Sequence, residues 1–492
     1  MNGSAQAGRA FLPRSLLSFP LVLLLSALGA CAPGPAPKPA WEQPPPALKQ
    51  GPVVAADALT RTRLDNGLAV IVLEDHRLPT VSLAFTVRRG AGAVGRGQAG
   101  LAQLTAEVMN RGAGDRDALA LAEAVDALGA SLSVSAGWDS MTVSMQGLSR
   151  DLPTLVTLLG DVALSPRFEA AEVEKARSEQ LAGLEAADDN PAQLVGRQAM
   201  AVLYPGHRYG LSLSGSPETL TPLDREAVRD LHARFFVPAN AILSVSGDIV
   251  PADFLAAIRP RFEGWRSGGP GQAPPAATPP PPAITPIARK VVIIDKPDLN
   301  QARIIIAQEG IERRDPRRLT ASLMNATLGG SGFSSRLMGK LRSEAGLTYG
   351  VRSGFSMRSQ PGPFSASTFT RVPETRRAVD MLLAELEAIR EIQPQSDSEL
   401  AKAKSYLVGQ FGLGLETSAA VVSGLVNLDV YGLPADSLDT YRARVAAIDL
   451  QQTRAVADAL LDPGRAAIVL LGPAEALVPQ FQDLGPVEVI QP

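Results

Sequence analysis

Blocks of apolar and polar residues along the chain predict a mixture of strands and helices. In the segment 101–111, apolar or small residues recur at i, i+3, i+4 and i+7, the spacing of one buried helix face. Asp117 and Gly129 provide a cap and a stop for a second helix. Further strands, a hairpin and a long helix are predicted over "GLAVIVLED", "TVSLAFTVRRGA", "ASLSVSAGWDSMTVSMQGLS", "KVVIID", "ARIIIAQEG" and residues 169–187. This mixture predicts an α+β fold, with an antiparallel-rich sheet covered by helices.

The end of each half of the chain carries the same pattern. In Pro222–Gly247 and in Ala447–Gly472, a capped helix precedes a proline, a short turn and an apolar strand. An alignment without gaps pairs Asp224 with Asp449, Pro238 with Pro463, and Gly247 with Gly472. The pattern indicates a duplication, and therefore two related domains.

Two proline-rich segments divide the chain. Such segments cannot pack a core and favour semi-extended backbone. We therefore predict an N-terminal signal over residues 1–30, a tether over 31–58, a first domain over 59–266, a linker over 267–286 and a second domain over 287–492.

Composition narrows the classes of function. The chain has 492 residues, a net charge of −3 and no basic block, which does not favour a nucleic-acid partner. It has three histidines, His76, His207 and His232, and none is close enough in sequence to another to form a helical metal-binding pair. His207, in "PGHRYG", is interpreted as structural.

The N-terminal segment has the organisation of a secretory signal. Arg9 and Arg14 precede a short apolar core at Phe19–Leu28, and the sequence then reads L-G-A-C up to Cys31. This ending resembles a bacterial lipobox, which implies cleavage before Cys31 and lipidation of it. By the same resemblance, Ala32 favours the periplasmic face of the outer membrane. The alternative is an ordinary signal peptide with a stray buried cysteine. Since no second cysteine exists, the mature chain can form no internal disulfide.

Six segments carry a more specific signal, and they occur in one order through nearly everything after the tether. They are "LDNGLAVIVLED", "GLAQLTAEVMNRGAG", "AEVEKARSEQLAGLEA", "YPGHRYGLSLSG", "VPANAILSVSGD" and "LGGSGFSSRLMGKLRSEAGLTYGV". Together they resemble the insulinase (pitrilysin) family of zinc metallopeptidases. The resemblance implies two related two-layer domains that form one half-shell, and two such halves enclose a chamber.

The zinc site of that family is altered in this chain. Catalytic members carry H-x-x-E-H, with two zinc-binding histidines and a glutamate that activates water, and a later glutamate completes the site. By resemblance, Gln103 and Glu107 stand at the histidines, Ala106 at the first glutamate and Gly183 at the later one. Glycine has no ligand atom, alanine accepts no proton, and an amide is a poor zinc ligand. We expect no metal or other cofactor in this chain, and zinc in a partner chain.

The second half keeps a motif that carries chemistry. In "LRSEAGLTY", Arg342 and Tyr349 have the spacing of an arginine and a tyrosine that face the zinc from the opposite half in the family. An arginine can bind a substrate carbonyl or carboxylate, and a phenol can donate to an oxyanion. The alternative is that Arg342 pairs with Glu344 or another local acid while Tyr349 packs in the sheet.

The sequence therefore favours a non-catalytic, lipid-anchored subunit of a split zinc peptidase. The resemblance implies a zinc-bearing partner chain that supplies H-x-x-E-H and a peptide or unfolded polypeptide as substrate, with no nucleic acid involved. Two alternatives remain open. One is a structural or scaffold protein without peptide chemistry, and the other is an autonomous peptidase with an atypical metal site.

Overall fold

The computed structural model describes residues 51–266, 283–390 and 397–492, together with Pro39. The signal segment, Cys31 and most of both proline-rich segments lie outside the described residues, so the interpretations given for them stay predictions. In the described part of the chain, no single helix is long and apolar enough to cross a membrane. One pair of consecutive helices, Ser398–Leu413 with Ser418–Tyr431, reaches that length and apolarity together but is bent by 110°.

The strands and helices form two similar halves. The strands are β1 Leu59–Arg63, β2 Ala69–Glu74, β3 Thr80–Val87, β4 Gly112–Ala113, β5 Arg116–Asp117, β6 Ser131–Ala136, β7 Met141–Leu148, β8 Ala241–Gly247, β9 Lys290–Asp295, β10 Gln301–Glu309, β11 Val351–Phe355, β12 Pro363–Arg371, β13 Ala467–Gly472 and β14 Val487–Ile490. The helices are α1 Leu101–Met109, α2 Ala118–Asp126, α3 Leu152–Leu164, α4 Ala170–Asp188, α5 Pro191–Leu203, α6 Pro217–Leu220, α7 Arg225–Phe235, α8 Pro251–Phe262, α9 Arg318–Asn325, α10 Thr375–Ala388, α11 Asp397–Leu413, α12 Ser418–Tyr431, α13 Tyr441–Ala447, α14 Leu450–Leu460 and α15 Ala474–Phe481.

The first domain is built on a six-stranded sheet with the order β1-β2-β8-β3-β7-β6. Its strands are antiparallel except for β2 and β8, which are parallel and lie inside the sheet. Helices α1, α3, α4, α7 and α8 contribute to the core on one face of this sheet. Phe85 lies within that core, stacked between Phe236 and Phe262 at centroid distances of 6.1 and 5.8 Å.

The second domain repeats this arrangement. Its sheet has the order β11-β12-β10-β13-β9-β14, so β6-β7-β3-β8-β2 in the first sheet corresponds to β11-β12-β10-β13-β9 in the second. The parallel pair recurs at the same place, as β13 with β9. Asp224 and Asp449 both cap a helix, accepting from the N–H groups of Ala227 at 2.9 Å and of Gln452 at 2.7 Å. The expected α+β fold with two related domains is thus confirmed, and the exact domain bounds stay predictions.

A helix from each half covers part of the other half's sheet. The buried face of α5 packs on the second sheet, through Leu194, Val195 and Ala199 against Val292, Ile294 and Val469. The buried face of α12 packs on the first sheet, through Val421, Val422 and Leu425 against Ile71, Leu73 and Ile242. We call α5 and α12 the exchanged helices. Helical periodicity indicates that such helices are half-buried, but it does not say against which element.

Polar contacts also join the two domains, at what we call the junction. Asp139 of the first domain accepts hydrogen bonds from the Ser359 N–H at 3.2 Å and from the Tyr431 hydroxyl at 2.9 Å. Beside it, His207 Nε2 lies 2.9 Å from Gln360 Oε1. These contacts hold the turn between β11 and β12 and the end of α12 against the first domain, at the turn between β6 and β7 and at His207.

Candidate functional site

Helix α1 positions the residues predicted to replace a zinc site. It begins after Gly100, whose φ of +94° is in the region that favours glycine. A Cβ there would also come within 2.6 Å of Leu220 Cδ2 and 2.7 Å of the Ser214 carbonyl oxygen. Glycine therefore lets the start of α1 approach the segment that precedes α6.

Three of the four predicted positions surround one cleft. Gln103 and Glu107 on α1 and Gly183 on α4 line a cavity of about 460 Å³, together with residues of α5 and of the segment 212–214. Ala106 does not line it, because its side chain is 2% exposed and belongs to the hydrophobic core. The structure thus brings together three positions that are far apart in sequence.

Arg111 neutralises acidic side chains at and beside the cleft. Its Nη2 donates to Glu107 Oε1 at 2.6 Å and to Glu179 Oε2 at 2.6 Å, while Glu172 lies 3.7 Å from Nη1. Burial alone would lower the pKa of Arg111, but the two hydrogen bonds outweigh it and raise that pKa. The same contact lowers the pKa of Glu179. Sequence reasoning missed Arg111, although its i, i+4 spacing from Glu107 was a usable signal.

The residues of the cleft do not fit a zinc ion. Gly183 has no donor atom, the Glu107 carboxylate is bonded to Arg111, and Gln103 Oε1 accepts from the Ser214 hydroxyl at 3.1 Å. Throughout the described ranges, no group of three or more His, Cys, Asp and Glu side chains is arranged to hold a metal. No step of metal-assisted hydrolysis can therefore be assigned to these residues.

Arg342 and Tyr349 form a second, separate group. Arg342 lies in the π-helical segment Met338–Glu344, and its Nη1 donates to the carbonyl oxygen of Tyr349 at 2.9 Å. Its guanidinium carbon lies 4.6 Å from the ring centroid of Phe333. The residues Tyr349 and Phe333 are 80% and 73% exposed. Neither Arg342 nor Tyr349 lines the cleft of α1 and α4.

This geometry differs from the local alternative considered for the motif. Glu344 pairs with Lys340 at 2.9 Å, and the salt bridges found in the described residues do not include one from Arg342 to Glu344. Tyr349 projects into solvent and does not pack in the sheet. Phe333 was missed from the sequence, because a single aromatic residue in a glycine-rich turn gives no periodic signal. Together the three side chains present an exposed surface that combines a cation and two aromatic rings.

The three histidines do not form a site. His207 is buried, and its Nδ1 accepts from the Tyr209 N–H at 3.1 Å, so Nε2 carries the proton and donates to Gln360. Burial lowers its pKa. His232 donates toward the Ala163 carbonyl oxygen at 2.9 Å, and burial lowers its pKa to about 4. His76 is on the surface, 2.7 Å from Asp248, and this hydrogen bond raises its pKa.

The fold and the altered cleft define a two-domain α+β protein built like a peptidase half but lacking its metal ligands. The profile described as "Insulinase (Peptidase family M16)" matches residues 69–216, and the profile described as "Peptidase M16 inactive domain" matches residues 222–407. The chain belongs to the insulinase family, peptidase family M16, and it is of the zinc-less type.

Individual relatives agree with this assignment. An uncharacterized zinc protease of Mycobacterium leprae is 27% identical over 369 residues, which are 74% of this chain and 81% of that protein. A protein of Helicobacter pylori named non-peptidase homolog YmxG is 24% identical over 77% of this chain and 86% of its own length. The crystal structure of a peptidase M16 inactive domain from Pseudomonas fluorescens is 27% identical, with a TM-score of 0.77, and the match covers 84% of this chain and 98% of that one.

Proposed function

We propose that this chain is the non-catalytic subunit of a heteromeric insulinase-type zinc peptidase. A partner chain would supply H-x-x-E-H and its zinc, and this chain would close the chamber and hold the peptide. The observation that carries the proposal is the contrast between the cleft of α1 and α4 and the exposed group at Arg342 and Tyr349. The cleft holds Gln103, Glu107 and Gly183, which fit no zinc, whereas Tyr349 is 80% exposed beside an anchored arginine.

Arg342 and Tyr349 have the chemistry to act on a peptide held by a partner. A guanidinium carries five N–H donors, so the bond from Nη1 to the Tyr349 carbonyl leaves donors for a peptide carbonyl or carboxylate. The same bond ties the Arg342 side chain to the backbone of Tyr349, and the Phe333 ring lies against the guanidinium. A tyrosine hydroxyl presented in this way can donate to the oxyanion that develops during hydrolysis.

Peptide binding and location complete the proposal. An extended substrate would add as a strand to a sheet edge, where main-chain hydrogen bonds give affinity.

The lipidated Cys31 would hold the subunit at the periplasmic face of the outer membrane, and three acyl chains exceed the two signals that stable anchoring needs. Cys31→Ser should move the protein from the membrane fraction to the soluble periplasm, and unchanged membrane association would contradict the anchor.

The test of the function uses the zinc-bearing partner, sought first in the adjacent reading frame. Removing one oxyanion donor costs about 10²–10³ in kcat. Tyr349→Phe should therefore lower kcat of the reconstituted pair strongly, with little change in KM, because the phenol acts in the transition state. Arg342→Ala should also raise KM, since its guanidinium contacts the ground-state peptide.

Thermal melting and subunit affinity of each variant serve as controls. Both residues are on the surface, so the fold of the isolated chain should hardly change. Full activity in both variants, or lost stability without a kinetic effect, would contradict the proposal and favour a scaffold protein. The Helicobacter pylori relative named non-peptidase homolog YmxG supports the scaffold protein as a second candidate function.

A further inference from the structure

The duplication gives the altered cleft a counterpart in the second domain. Helix α9 follows β10 as α1 follows β3, and α11 and α13 correspond in chain order to α4 and α6. In the first domain, the cleft lies among α1, α4 and the segment before α6. In the second domain, α9, α11 and α13 contact one another. Helix α9 therefore has, in the second domain, the place that α1 has beside the altered cleft.

The start of α9 carries positive charge where a helix favours negative charge. The unpaired N–H groups give this end of a helix a partial positive charge, which an acidic residue or a capping side chain usually offsets. Here Arg317 and Arg318 occupy the N-cap and the first helical position, no side chain caps the helix, and its first turn holds no acid. By contrast, Asp449 caps the neighbouring α14. The charges at the start of α9 therefore favour a bound anion.

Arg318 has a buried side chain without a counter-ion. It is 9% exposed, yet its guanidinium has no hydrogen bond or salt bridge within the described residues. Side chains of a helix lean toward its N-terminus, so this guanidinium lies at the same uncapped end. Burial and the positive charges of Arg444 and Arg313 lower its pKa, and in the described ranges no carboxylate acts against them. Burying an unpaired charge is unfavourable, and a bound anion would offset that cost.

The two arginines that act on Arg318 come from separate segments. Arg313 precedes α9, and its guanidinium carbon lies 5.8 Å from the ring centroid of Tyr431. Arg444 belongs to α13. Neither of them forms a salt bridge in the part of the chain that the structure describes. Three arginines are thus brought together by the packing of α13 on α9, and they have no acidic partner there.

Other charges of the same segment are already paired. Arg317 Nη2 donates to Asp315 Oδ2 at 2.7 Å, and Arg314 Nε donates to the Tyr431 carbonyl oxygen. Glu312, the other carboxylate of this segment, makes no salt bridge with an arginine of the described residues. The local acids therefore leave the charge of the three arginines unbalanced.

We infer that Arg313, Arg318 and Arg444 bind a divalent oxyanion of phosphate size at the start of α9. Guanidinium groups bind such an oxyanion through paired N–H donors, and a helix N-terminus adds its own N–H groups and partial charge. A carboxylate would balance one positive charge, whereas a phosphate carries about two negative charges. The bound group is free phosphate or a phosphate monoester. This site is independent of the proposed peptidase role.

Isothermal titration calorimetry of the full chain, at constant ionic strength, tests the site with inorganic phosphate and with glycerol phosphate. The wild type should bind one equivalent. Arg318→Met keeps most of the side-chain length but removes the guanidinium, so it should weaken binding by about ten-fold or more. Arg444→Gln, on α13, should weaken binding in the same way and tests the site even if Arg318→Met does not fold. Tighter binding of glycerol phosphate would identify a phosphate monoester as the source, and binding of inorganic phosphate alone would identify the free ion.

Arg317→Met is the matched control, because Arg317 is adjacent in sequence but exposed and paired with Asp315. Its affinity for phosphate should stay close to that of the wild type. Thermal melting gives a second readout, since a ligand stabilises only the fold that binds it. Phosphate should raise the melting temperature of the wild type and of Arg317→Met, but not that of Arg318→Met.

Melting in chloride alone separates a binding role of Arg318 from a structural one. Arg318→Met removes an unpaired buried charge, so without phosphate it should melt no lower than the wild type. A wild-type chain that binds neither phosphate compound would overturn the inference. So would an Arg318→Met chain that binds as tightly as the wild type, or an equal loss of binding in Arg317→Met.

Discussion

Among single residues, Arg111 best explains how the acidic side chains around the cleft are accommodated. Glu107 and Glu179 each lie 2.6 Å from its Nη2, and Glu172 approaches Nη1. Three carboxylates this close to one another would repel each other without a cation. A guanidinium provides that charge permanently, whereas a bound metal can dissociate. The ligand positions can therefore hold an amide and a glycine without destabilising α1 and α4.

Restoring the family's zinc ligands tests whether Gln103, Glu107 and Gly183 stand at the three ligand positions. We expect the purified chain to retain no stoichiometric zinc, and the triple variant Gln103→His, Glu107→His, Gly183→Glu to bind one equivalent, because three protein ligands suffice for zinc. A Cβ at Gly183 meets nothing within 4 Å, so the new side chain has room. Ala106 stays unchanged, since a carboxylate at that buried position would be costly. Metal content after zinc loading and dialysis is the measurement.

The matched control replaces Gly183 by Gln in the same double-histidine background. Glutamine has nearly the size of glutamate but lacks the carboxylate, so this control variant should bind zinc more weakly than the triple variant. Stoichiometric zinc in the wild-type chain would contradict the loss of the metal site. A triple variant without zinc would show that these positions do not converge as the structure has them.

At the scale of elements, local sequence signals locate the predicted helices well. The predicted cap Asp117 accepts from the Ala120 N–H at 2.9 Å, and α2 begins at the next residue. Gly129, predicted as its stop, has a φ of +57°. The predicted helix over 101–111 is observed as Leu101–Met109. Caps and apolar spacing act within a few residues, which is why the sequence reveals them.

Other features depend on contacts between distant segments and could not be predicted. The partners of α5 and α12 are set by the docking of two domains, and the apolar pattern of each helix fits any apolar surface. The spacing of Arg342 and Tyr349 identified the pair by resemblance. It could not show that the arginine bonds to the tyrosine's main chain, or that Phe333 lies under the guanidinium.

Helix α7 carries a pH-dependent contribution to stability through His232. Burial lowers the pKa of His232 to about 4, below its value near 6.5 in an unfolded chain. The unfolded chain therefore takes up the proton first. The contribution is complete above pH 6.5 and is lost as the pH falls toward 4, by up to about 3 kcal/mol at 1.4 kcal/mol per unit. His232→Gln should flatten the pH dependence of the unfolding free energy in this window.

Urea unfolding at several pH values measures this effect. His76→Gln is the control, because that histidine is on the surface and its pKa is raised by Asp248. Its contribution has the opposite sign, since it is present at low pH and is lost as the pH rises through its folded pKa. Equal slopes for the wild type and His232→Gln between pH 6.5 and 4 would contradict the assignment.

For the whole molecule, the exchanged helices make each domain part of the other's packing. Leu194 of the first half and Leu425 of the second are both buried against the opposite sheet. The junction adds hydrogen bonds from Ser359 and Tyr431 to Asp139. A domain that unfolds alone would expose apolar surface on its neighbour as well as its own core. We therefore expect the two domains to unfold together.

Leu471→Ala tests this coupling from the second domain. Leu471 is fully buried in β13, within the apolar cluster that contains α5. Its loss should cost about 2–5 kcal/mol. Of the structurally described tryptophans, Trp138 contacts Arg358 of the second domain, whereas Trp265 packs on the core of the first domain. Fluorescence of Trp265 in a Trp41→Phe, Trp138→Phe background therefore reports the first domain alone. With coupled domains, the urea midpoint by fluorescence should fall as far as the midpoint by far-UV circular dichroism. Leu119→Ala, at a 69% exposed position, should move neither. If Leu471→Ala left the fluorescence midpoint unchanged, the exchanged helices would not transmit stability between the domains, because a change in the second sheet would then stop at α5.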